Sequence, residues 1–320
     1  MYLKKMKNVL IIKLGYSETL ENGISQAVSF GDVLRTTFVL HFFEGYHVSW
    51  LTDEKAFPLL EYNSHIDKIL LYNSDVIKRL EGESFDTVVN FEKLKEIYLL
   101  CDSLKAKNFF GFSLAMLYNA QKHTVGNRKL FELCESVKNR KKNKYCWQSI
   151  LAEVIGKKWK DEGYILGYQP QSKIKYDIGF NWTTSKRWTN KAWPKTHWKR
   201  LEDLIKNKYS VSWQRGQNNL YNYIEWINSC RLIVTADTLG LHIALALKKR
   251  VIGLFGPTSP HEFCFYNCGT YLLPDLAYNC IPCFMPTCSK KRQCMEYILP
   301  DKVKKRIDAE FKEHIYSQKV

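Results

Sequence analysis

The sequence lacks the long apolar runs of a membrane-spanning protein and has few acidic residues for its length. No stretch of its 320 residues reaches the roughly 18 to 20 consecutive apolar residues that a spanning helix needs. The first segment, MYLKKMKNVLIIKLGY, has a basic head, but its apolar run of about seven residues lacks the small-residue cleavage site of a signal peptide. We therefore interpret this run as a buried strand and expect a cytoplasmic protein.

The shortage of acidic residues leaves a strong positive charge. Lysine and arginine number 48 against 32 aspartates and glutamates, which gives a formal net charge of +16. This charge favours an anionic partner, such as nucleic acid, acidic lipid or a phosphorylated small molecule. The basic residues are scattered and no nucleic-acid-binding motif occurs, so we expect no nucleic acid partner, although a basic nucleic-acid-binding protein stays an alternative. Peripheral association with the inner face of a membrane is a further expectation, which binding to anionic vesicles that weakens with added salt would support.

Strand-like and helix-like segments alternate along most of the chain. KNVLIIKLG, HVSWLTD, DKILLYN and FDTVVNFE resemble strands, and helical segments such as EKLKEIYLLCDSLKA lie between strand-like segments. This order predicts an α/β fold with doubly wound parallel sheets. A charged stretch with one amphipathic helix and the linker GYQPQSK separates two such halves. We therefore predict two domains, residues 1–168 and 169–320.

Four cysteines lie close together late in the chain, at Cys280, Cys283, Cys288 and Cys294. In a reducing compartment this clustering favours a metal site over disulfides. Four thiolates predict a closed structural site for zinc or a single iron. Buried unpaired cysteines are the alternative, and we expect Cys264 and Cys268 to take no part.

Polar groups are dense in one strand-to-helix turn, TADTLGLH, which ends at His242. Ligands of parallel sheets bind where strands end and helices begin, and the first amides of a helix attract anions. Asp237, Thr238 and Gly240 would then surround a phosphate, with His242 as a donor or acid. The alternative is ordinary capping by Asp237 or Thr238 beside a buried histidine.

Together with three other stretches, this turn resembles glycosyltransferase family 9, the ADP-heptose heptosyltransferases of lipopolysaccharide synthesis. The stretches are VLIIKLG followed by GDVLRTT, then NKAWPKTHWKRL, and FGPT at residues 255–258. The glycine of the turn stands one place later than in the family, where Leu239 lies here. The resemblance implies the GT-B fold, in which two Rossmann-like domains face a cleft, with the acceptor on the N-terminal and the nucleotide-sugar on the C-terminal domain.

The function implied by this resemblance is transfer of heptose from ADP-heptose, with inversion, to a lipopolysaccharide or surface-glycan acceptor. An adhesin-type protein acceptor is the alternative, because the cysteine cluster resembles that of iron-containing heptosyltransferases. Asp32 is the predicted base, although it could instead cap the helix VLRTTFVL. An insertion at residues 16–30 is predicted to close over the acceptor.

Among the remaining site residues, Lys191 is carried over from the Lys-x-Trp-Pro motif, and the others are predicted from their positions at strand ends or helix starts. We expect Lys191 to be the main cation for the diphosphate and predict no catalytic magnesium, because amides and lysine would stabilise the leaving group. Lys13 and Arg35 are predicted to bind the acceptor or a phosphate. The predicted donor-binding residues are Thr183, Thr184, Lys191, Ser212, Gln214, Asp237, Thr238, Leu239, Gly240 and His242.

Overall fold

The computed structural model describes residues 6–17, 27–114, 125–216, 219–276 and 278–317. Its contacts divide the chain into two compact units, Met1–Gln169 and Pro170–Val320. The middle of the predicted closing loop, residues 18–26, lies outside the described residues. No helix among the described residues is long and apolar enough to cross a membrane.

The first unit is built on a sheet of five parallel strands in the order β3-β2-β1-β4-β5. Its strands are β1 (Lys7–Ile12), β2 (Tyr46–Thr52), β3 (Lys68–Leu71), β4 (Ser84–Asn90) and β5 (Lys105–Gly111). Its helices are α1 (Phe30–Thr36), α2 (Phe57–Leu60), α3 (Ser74–Leu80), α4 (Lys95–Ser103), α5 (Val125–Glu135), α6 (Val137–Lys142) and α7 (Trp147–Val154). The 3₁₀ segments are Thr37–Phe43 and Glu54–Ala56.

The second unit has a sheet of five parallel strands in the order β10-β9-β8-β6-β7. Its strands are β6 (Tyr176–Asn181), β7 (Val211–Trp213), β8 (Cys230–Ala236), β9 (Arg250–Leu254) and β10 (Gly269–Leu272). Its helices are α8 (Lys195–Ile205), α9 (Leu220–Asn228), α10 (Leu239–Ala246) and α11 (Pro300–Ser317). The 3₁₀ segments are Thr189–Lys191, Pro260–Glu262 and Cys294–Tyr297.

These sheets confirm the predicted doubly wound α/β class. The apolar side chains of the central strands are buried on both faces, as the continuous runs VLII and LIV indicate. Three features differ from the sequence predictions. The segment after α1 continues as a 3₁₀ helix, the charged middle of the chain holds three helices (α5 to α7) instead of one, and the edge strands β5 and β10 were not predicted.

Strand order identifies where each unit can bind a ligand. The first sheet has the Rossmann order 3-2-1-4-5, and the second, counted from its own first strand, has the flavodoxin-like order 2-1-3-4-5. In such sheets ligands bind beyond the carboxyl ends of the two strands at which the winding direction reverses. These positions follow β1 and β4 in the first unit and β6 and β8 in the second.

Candidate active site

Asp32 lies at the centre of a buried charge network in the first unit. It is the third residue of α1, whose N-cap position is Ser29, so the alternative that Asp32 caps this helix is wrong. The side chain of Asp32 is nearly inaccessible, and its Oδ2 lies 2.5 Å from Lys13 Nζ. Its Oδ1 accepts hydrogen bonds from Arg35 Nε at 2.9 Å and Nη2 at 2.5 Å. Both carboxylate oxygens therefore face cations.

These cations keep Asp32 ionised. Burial alone raises the pKa of its carboxyl group, but the charges of Lys13 and Arg35 outweigh burial and lower the pKa to about 2. The charges also outweigh burial at Lys13. Burial lowers the pKa of its ammonium group, but the carboxylates of Asp32 and Glu92 raise it by more, so the pKa lies above its usual value. The network is thus a set of true ion pairs near neutral pH.

Lys13 is directed entirely at groups of the protein. Its fully buried ammonium contacts Asp32, lies 3.5 Å from Glu92 Oε2 and donates to the carbonyl oxygens of Phe91 at 3.1 Å and of Ser17. An ammonium group has three hydrogens, and these acceptors use them all. In this structure Lys13 is a counter-ion of two carboxylates, and its predicted contact with a phosphate stays a prediction.

Glu92 is a residue that the sequence interpretation missed. It follows β4 by two positions, and both of its oxygens accept hydrogen bonds from the turn after β1. The donors are the backbone N–H groups of Leu14 at 3.0 Å, Gly15 at 2.9 Å and Ser17 at 2.6 Å, together with the Ser17 hydroxyl. Gly15 has a φ of +96°, which favours glycine. The backbone N–H groups of the turn after β1 are therefore bound by a carboxylate of the protein itself.

Arg35 is also held internally. Its guanidinium pairs with Asp32 and lies 3.8 Å from the ring centroid of Trp147 in α7, a cation–π contact. Such a contact fixes the guanidinium plane and leaves the group buried. The structure thus gives Arg35 a role in orienting Asp32, while its predicted contact with an anionic acceptor stays a prediction.

A second ion pair lies in the second unit, at the end of β8. Lys191 Nζ is 2.9 Å from Asp237 Oδ2, and 12% of the Asp237 side chain is exposed. The Lys191 ammonium also lies 4.2 Å from the ring centroid of Trp188. Burial raises the pKa of Asp237, but Lys191 and then His242 outweigh it and lower the pKa to about 2. Lys191, the predicted cation for the diphosphate, is therefore paired with the carboxylate of Asp237.

The first turn of α10 is not capped by a side chain. Thr238 occupies the N-cap position but makes no side-chain cap hydrogen bond. Instead its hydroxyl accepts from Asn181 Nδ2 at 2.8 Å, and the same amide donates to Thr235 Oγ1 at 2.7 Å. Asn181 Oδ1 accepts from Tyr223 at 2.8 Å. Asn181, at the end of β6, thus ties both strands of the switch point to the start of α10.

Gly240 is required by this packing. A Cβ atom at this position would lie 2.2 Å from Asn181 Nδ2 and 2.5 Å from the Tyr223 hydroxyl. The close packing of Asn181 and Tyr223 therefore explains the glycine by itself, and the close approach of a phosphate stays a prediction. Leu239 and His242 are buried, and the His242 ring packs 5.3 Å from that of Phe263.

The predicted residues after β6 line a cavity of about 540 Å³. Thr183 and Thr184 stand on its wall, and the Thr183 hydroxyl donates to Gln214 Oε1 at 2.7 Å. Ser212 instead accepts from Trp226 Nε1 at 3.0 Å and is bound within the sheet–helix packing. The other lining residues are Trp182, Ala192, Trp193, Pro194, Lys195, Gln293 and Glu296.

The cysteine cluster does not form the predicted metal site. Among the described residues, no three His, Cys, Asp or Glu side chains are placed so that they could hold a metal ion. Burial, followed by the neighbouring thiols of Cys283, Cys288 and Cys280, raises the pKa of Cys294 to about 12. The four cysteines thus lie near one another without the arrangement of a metal site among the described residues, and zinc or iron here stays a prediction.

The two low carboxylate pKa values predict how stability depends on pH. Asp32 and Asp237 both titrate near pH 2 in the folded chain, below the ordinary value of 3.8. Each therefore contributes about 2 kcal/mol of stability above pH 4, and this contribution is lost as the pH falls from about 4 to 2. Urea midpoints measured by circular dichroism should fall steeply over that window. In Asp237→Asn the fall should be shallower, and an equally steep fall would contradict the assignment.

Two sheets of the nucleotide-binding type, each with ionised residues at its switch point, define a two-domain α/β protein of the GT-B class. Solved structures have the same fold. An E. coli heptosyltransferase, WaaC with ADP-2-deoxy-2-fluoro heptose, is 16% identical with a TM-score of 0.60, over 94% of this chain and 99% of that one. A family 9 glycosyltransferase from Veillonella parvula is 16% identical with a TM-score of 0.68, over 96% and 98%.

The sequence comparisons identify the family that the chain resembles. Residues 215–293 match the sequence model of glycosyltransferase family 9 (heptosyltransferase). Lipooligosaccharide heptosyltransferase 2 of Campylobacter jejuni is 32% identical over 75 residues, which are 23% of this chain and 24% of that protein. The match thus spans about a quarter of that relative's length. The resemblance to family 9 expected from the motifs is confirmed, and the matched segment includes Asp237, Thr238 and the first three cysteines of the cluster, but not Cys294.

An iron-containing protein also has this fold. TibC, a dodecameric glycosyltransferase from enterotoxigenic E. coli H10407, is 12% identical with a TM-score of 0.57, over 98% of this chain and 78% of that one. At this level of identity the likeness concerns the fold alone.

Proposed function

We propose that the protein is an inverting glycosyltransferase that transfers heptose from ADP-heptose to a lipopolysaccharide or other surface-glycan acceptor. The observation that carries this proposal is the Lys191–Asp237 pair beside the uncapped first turn of α10. The pair lies at the switch point of the second unit, and Asp237 stands within residues 215–293, which match the sequence model of glycosyltransferase family 9. Uncapped helix amides and a cation are the groups that a diphosphate needs.

The departing ADP is stabilised by fixed charges in this proposal. As the bond between the anomeric carbon and the phosphate oxygen breaks, negative charge grows on the diphosphate. Lys191 and the first amides of α10 are already oriented, so little reorganisation is needed at that moment. We assign the charge stabilisation to these groups and propose no catalytic divalent metal.

Asp32 is the proposed general base. The acceptor oxygen attacks the anomeric carbon from the face opposite the phosphate, and its proton passes to the Asp32 carboxylate. Because the pKa of Asp32 is about 2, this base is always ionised near neutral pH but is weak. We therefore propose that the proton moves late, when the bond to the anomeric carbon is already forming and the hydroxyl has become acidic.

The nucleotide preference tests the proposal directly. We expect calorimetric titration with ADP, UDP, GDP and CMP to give tight binding of ADP alone. Lys191→Ala should weaken ADP binding by about 10- to 100-fold, since a charge-assisted hydrogen bond contributes roughly 1.5 to 3 kcal/mol. Lys206→Ala, which removes an exposed lysine paired with Asp203 in the same unit, is the control and should bind ADP normally.

Other outcomes of this titration are equally informative. A preference for UDP or GDP would mean that the donor sugar is not heptose, while the proposal of a glycosyltransferase would stand. Failure of all four nucleotides to bind would refute the donor site. If ADP binds, mass spectrometry of the reaction products would identify the acceptor as a glycolipid or a protein. Association with a membrane stays a prediction from the charge alone.

A further inference from the structure

Asn190, the neighbour of Lys191, is held by the Cys-rich segment. We define the Cys loop as residues 280–294. The side-chain amide of Asn190 donates to the carbonyl oxygen of Met285, and its backbone N–H donates to Pro286 O at 3.4 Å. Its Nδ2 also lies 4.0 Å from Cys283 Sγ. Both the main chain and the side chain of this residue therefore depend on the Cys loop.

Asn190 is an unusual residue to bury. Only 2% of its surface is exposed, and within the described part of the chain its Oδ1 atom has no hydrogen-bond partner. A buried oxygen without a partner lowers stability, and such groups call for an explanation other than packing. Departures from good packing of this kind are expected at functional sites.

The Cys loop contacts a second turn at the same edge of the sheet. Phe284 N–H donates to Pro257 O at 2.8 Å, directly after β9. A Cβ atom on Gly256 would lie 2.7 Å from Cys294 Sγ and 2.9 Å from Met295 Sδ, so this turn packs closely on the end of the loop. The Cys loop is thus fixed to the β9 turn on one side and to Asn190 on the other.

We infer that Asn190 is a positioning residue that couples the Cys loop to the donor site. The inference rests on the proposed function. Lys191 ends the 3₁₀ turn Thr189–Lys191, and a turn of three residues cannot fix the direction of a long lysine by itself. The hydrogen bonds of Asn190 anchor that turn to the loop, and the anchored turn directs the Lys191 ammonium to Asp237. The loop therefore supports phosphate binding without contacting the phosphate.

Asn190→Ala separates this role from a merely structural one. We expect ADP affinity to fall about fivefold to tenfold, because the lysine loses its fixed direction. We expect the urea midpoint to change little, since the variant loses the hydrogen bond to Met285 O but also removes the oxygen without a partner. Tyr278→Phe is the matched control: it removes a hydroxyl that lies just before the Cys loop and donates to Arg292 O, within the loop, at 3.4 Å, and it should leave ADP affinity unchanged.

A second measurement tests the coupling without a nucleotide. Hydrogen exchange of the amides at 189–191 should be faster in Asn190→Ala than in the wild type, and normal in Tyr278→Phe. Unchanged exchange together with unchanged ADP affinity overturns the inference. If the wild type binds no nucleotide, the proposed donor site fails, and the exchange result alone decides whether Asn190 anchors the turn. A fall in ADP affinity matched by an equal fall in the Tyr278→Phe control would also refute the specific role of Asn190.

Discussion

Asp32→Asn is expected to lower the rate of heptose transfer by a factor of about 10² to 10⁴ while ADP affinity changes less than twofold. The factor is the usual contribution of a general base in a positioned site. An amide can still accept a hydrogen bond from Arg35 but cannot take the proton of the acceptor hydroxyl. ADP affinity is preserved because the groups proposed to bind the diphosphate belong to the second unit, whereas Asp32 belongs to the first.

The effect on folding must be measured beside the effect on rate. Asp32 is nearly fully buried and neutralises Lys13 and Arg35, so the asparagine variant should also be less stable, by about 3 kcal/mol or more. Rates should therefore be compared at a temperature where circular dichroism shows both proteins fully folded. Under that condition a loss of rate reports chemistry and not the folded fraction.

Asp86→Asn is the matched control for this variant. Asp86 lies on β4 of the same unit and pairs with the exposed Lys107, so its removal should leave the transfer rate within about twofold. Transfer by Asp32→Asn at more than a tenth of the wild-type rate would contradict the assignment of the base. Loss of ADP binding together with turnover would instead assign Asp32 a structural role.

The sheets were predictable because central parallel strands carry a strong signal. β1 and β8 contain the aliphatic runs VLII and LIV, and these runs are buried, as is the second half of β4, TVVN. The edge strands β5 and β10 carry little of this signal. Their sequences are KAKNFFG and GTYL, and both strands are partly exposed. A half-exposed strand needs no continuous apolar run, so its sequence resembles that of a loop.

The charged residues of the site were predictable only where a local motif contains them. Lys191 and Asp237 stand in short motifs, and the structure pairs them. Glu92, in contrast, is 75 to 78 positions from the amides that it binds, and Asn181 is 57 positions from Thr238. These contacts depend on which strands become neighbours, and neither residue type nor spacing encodes that.

For two local predictions the structure shows surroundings that the sequence does not indicate. The glycine of the TADTLGLH turn was assigned to phosphate approach, but Gly240 makes room for Asn181 and Tyr223. The four cysteines were assigned to a metal from their spacing, although their sulfurs are not arranged to hold one among the described residues. In both cases the sequence indicates that a residue is special, and only the packing around it gives the reason.

Glu92→Gln is expected to lower the free energy of unfolding by about 3 to 5 kcal/mol, the usual loss when one member of a buried ion pair is removed. The glutamine has nearly the same shape, so no cavity is created. Its carboxamide, however, has a single acceptor oxygen where the carboxylate has two, and its NH₂ group would face the N–H of Ser17 or of Leu14 and Gly15. Lys13 would also lose one of its two carboxylates.

Urea unfolding followed by tryptophan fluorescence measures this loss. Glu96→Gln, an exposed residue in the first turn of α4, is the matched control and should change stability by less than about 0.5 kcal/mol. The double variant with Lys13→Met should lose less than the two single variants added together, because the pair is then removed as a unit. Additive losses would mean that Lys13 and Glu92 stabilise the fold independently. A loss below 1 kcal/mol in Glu92→Gln would mean that the turn after β1 does not depend on this carboxylate, and the buried network would then be centred on Asp32 alone.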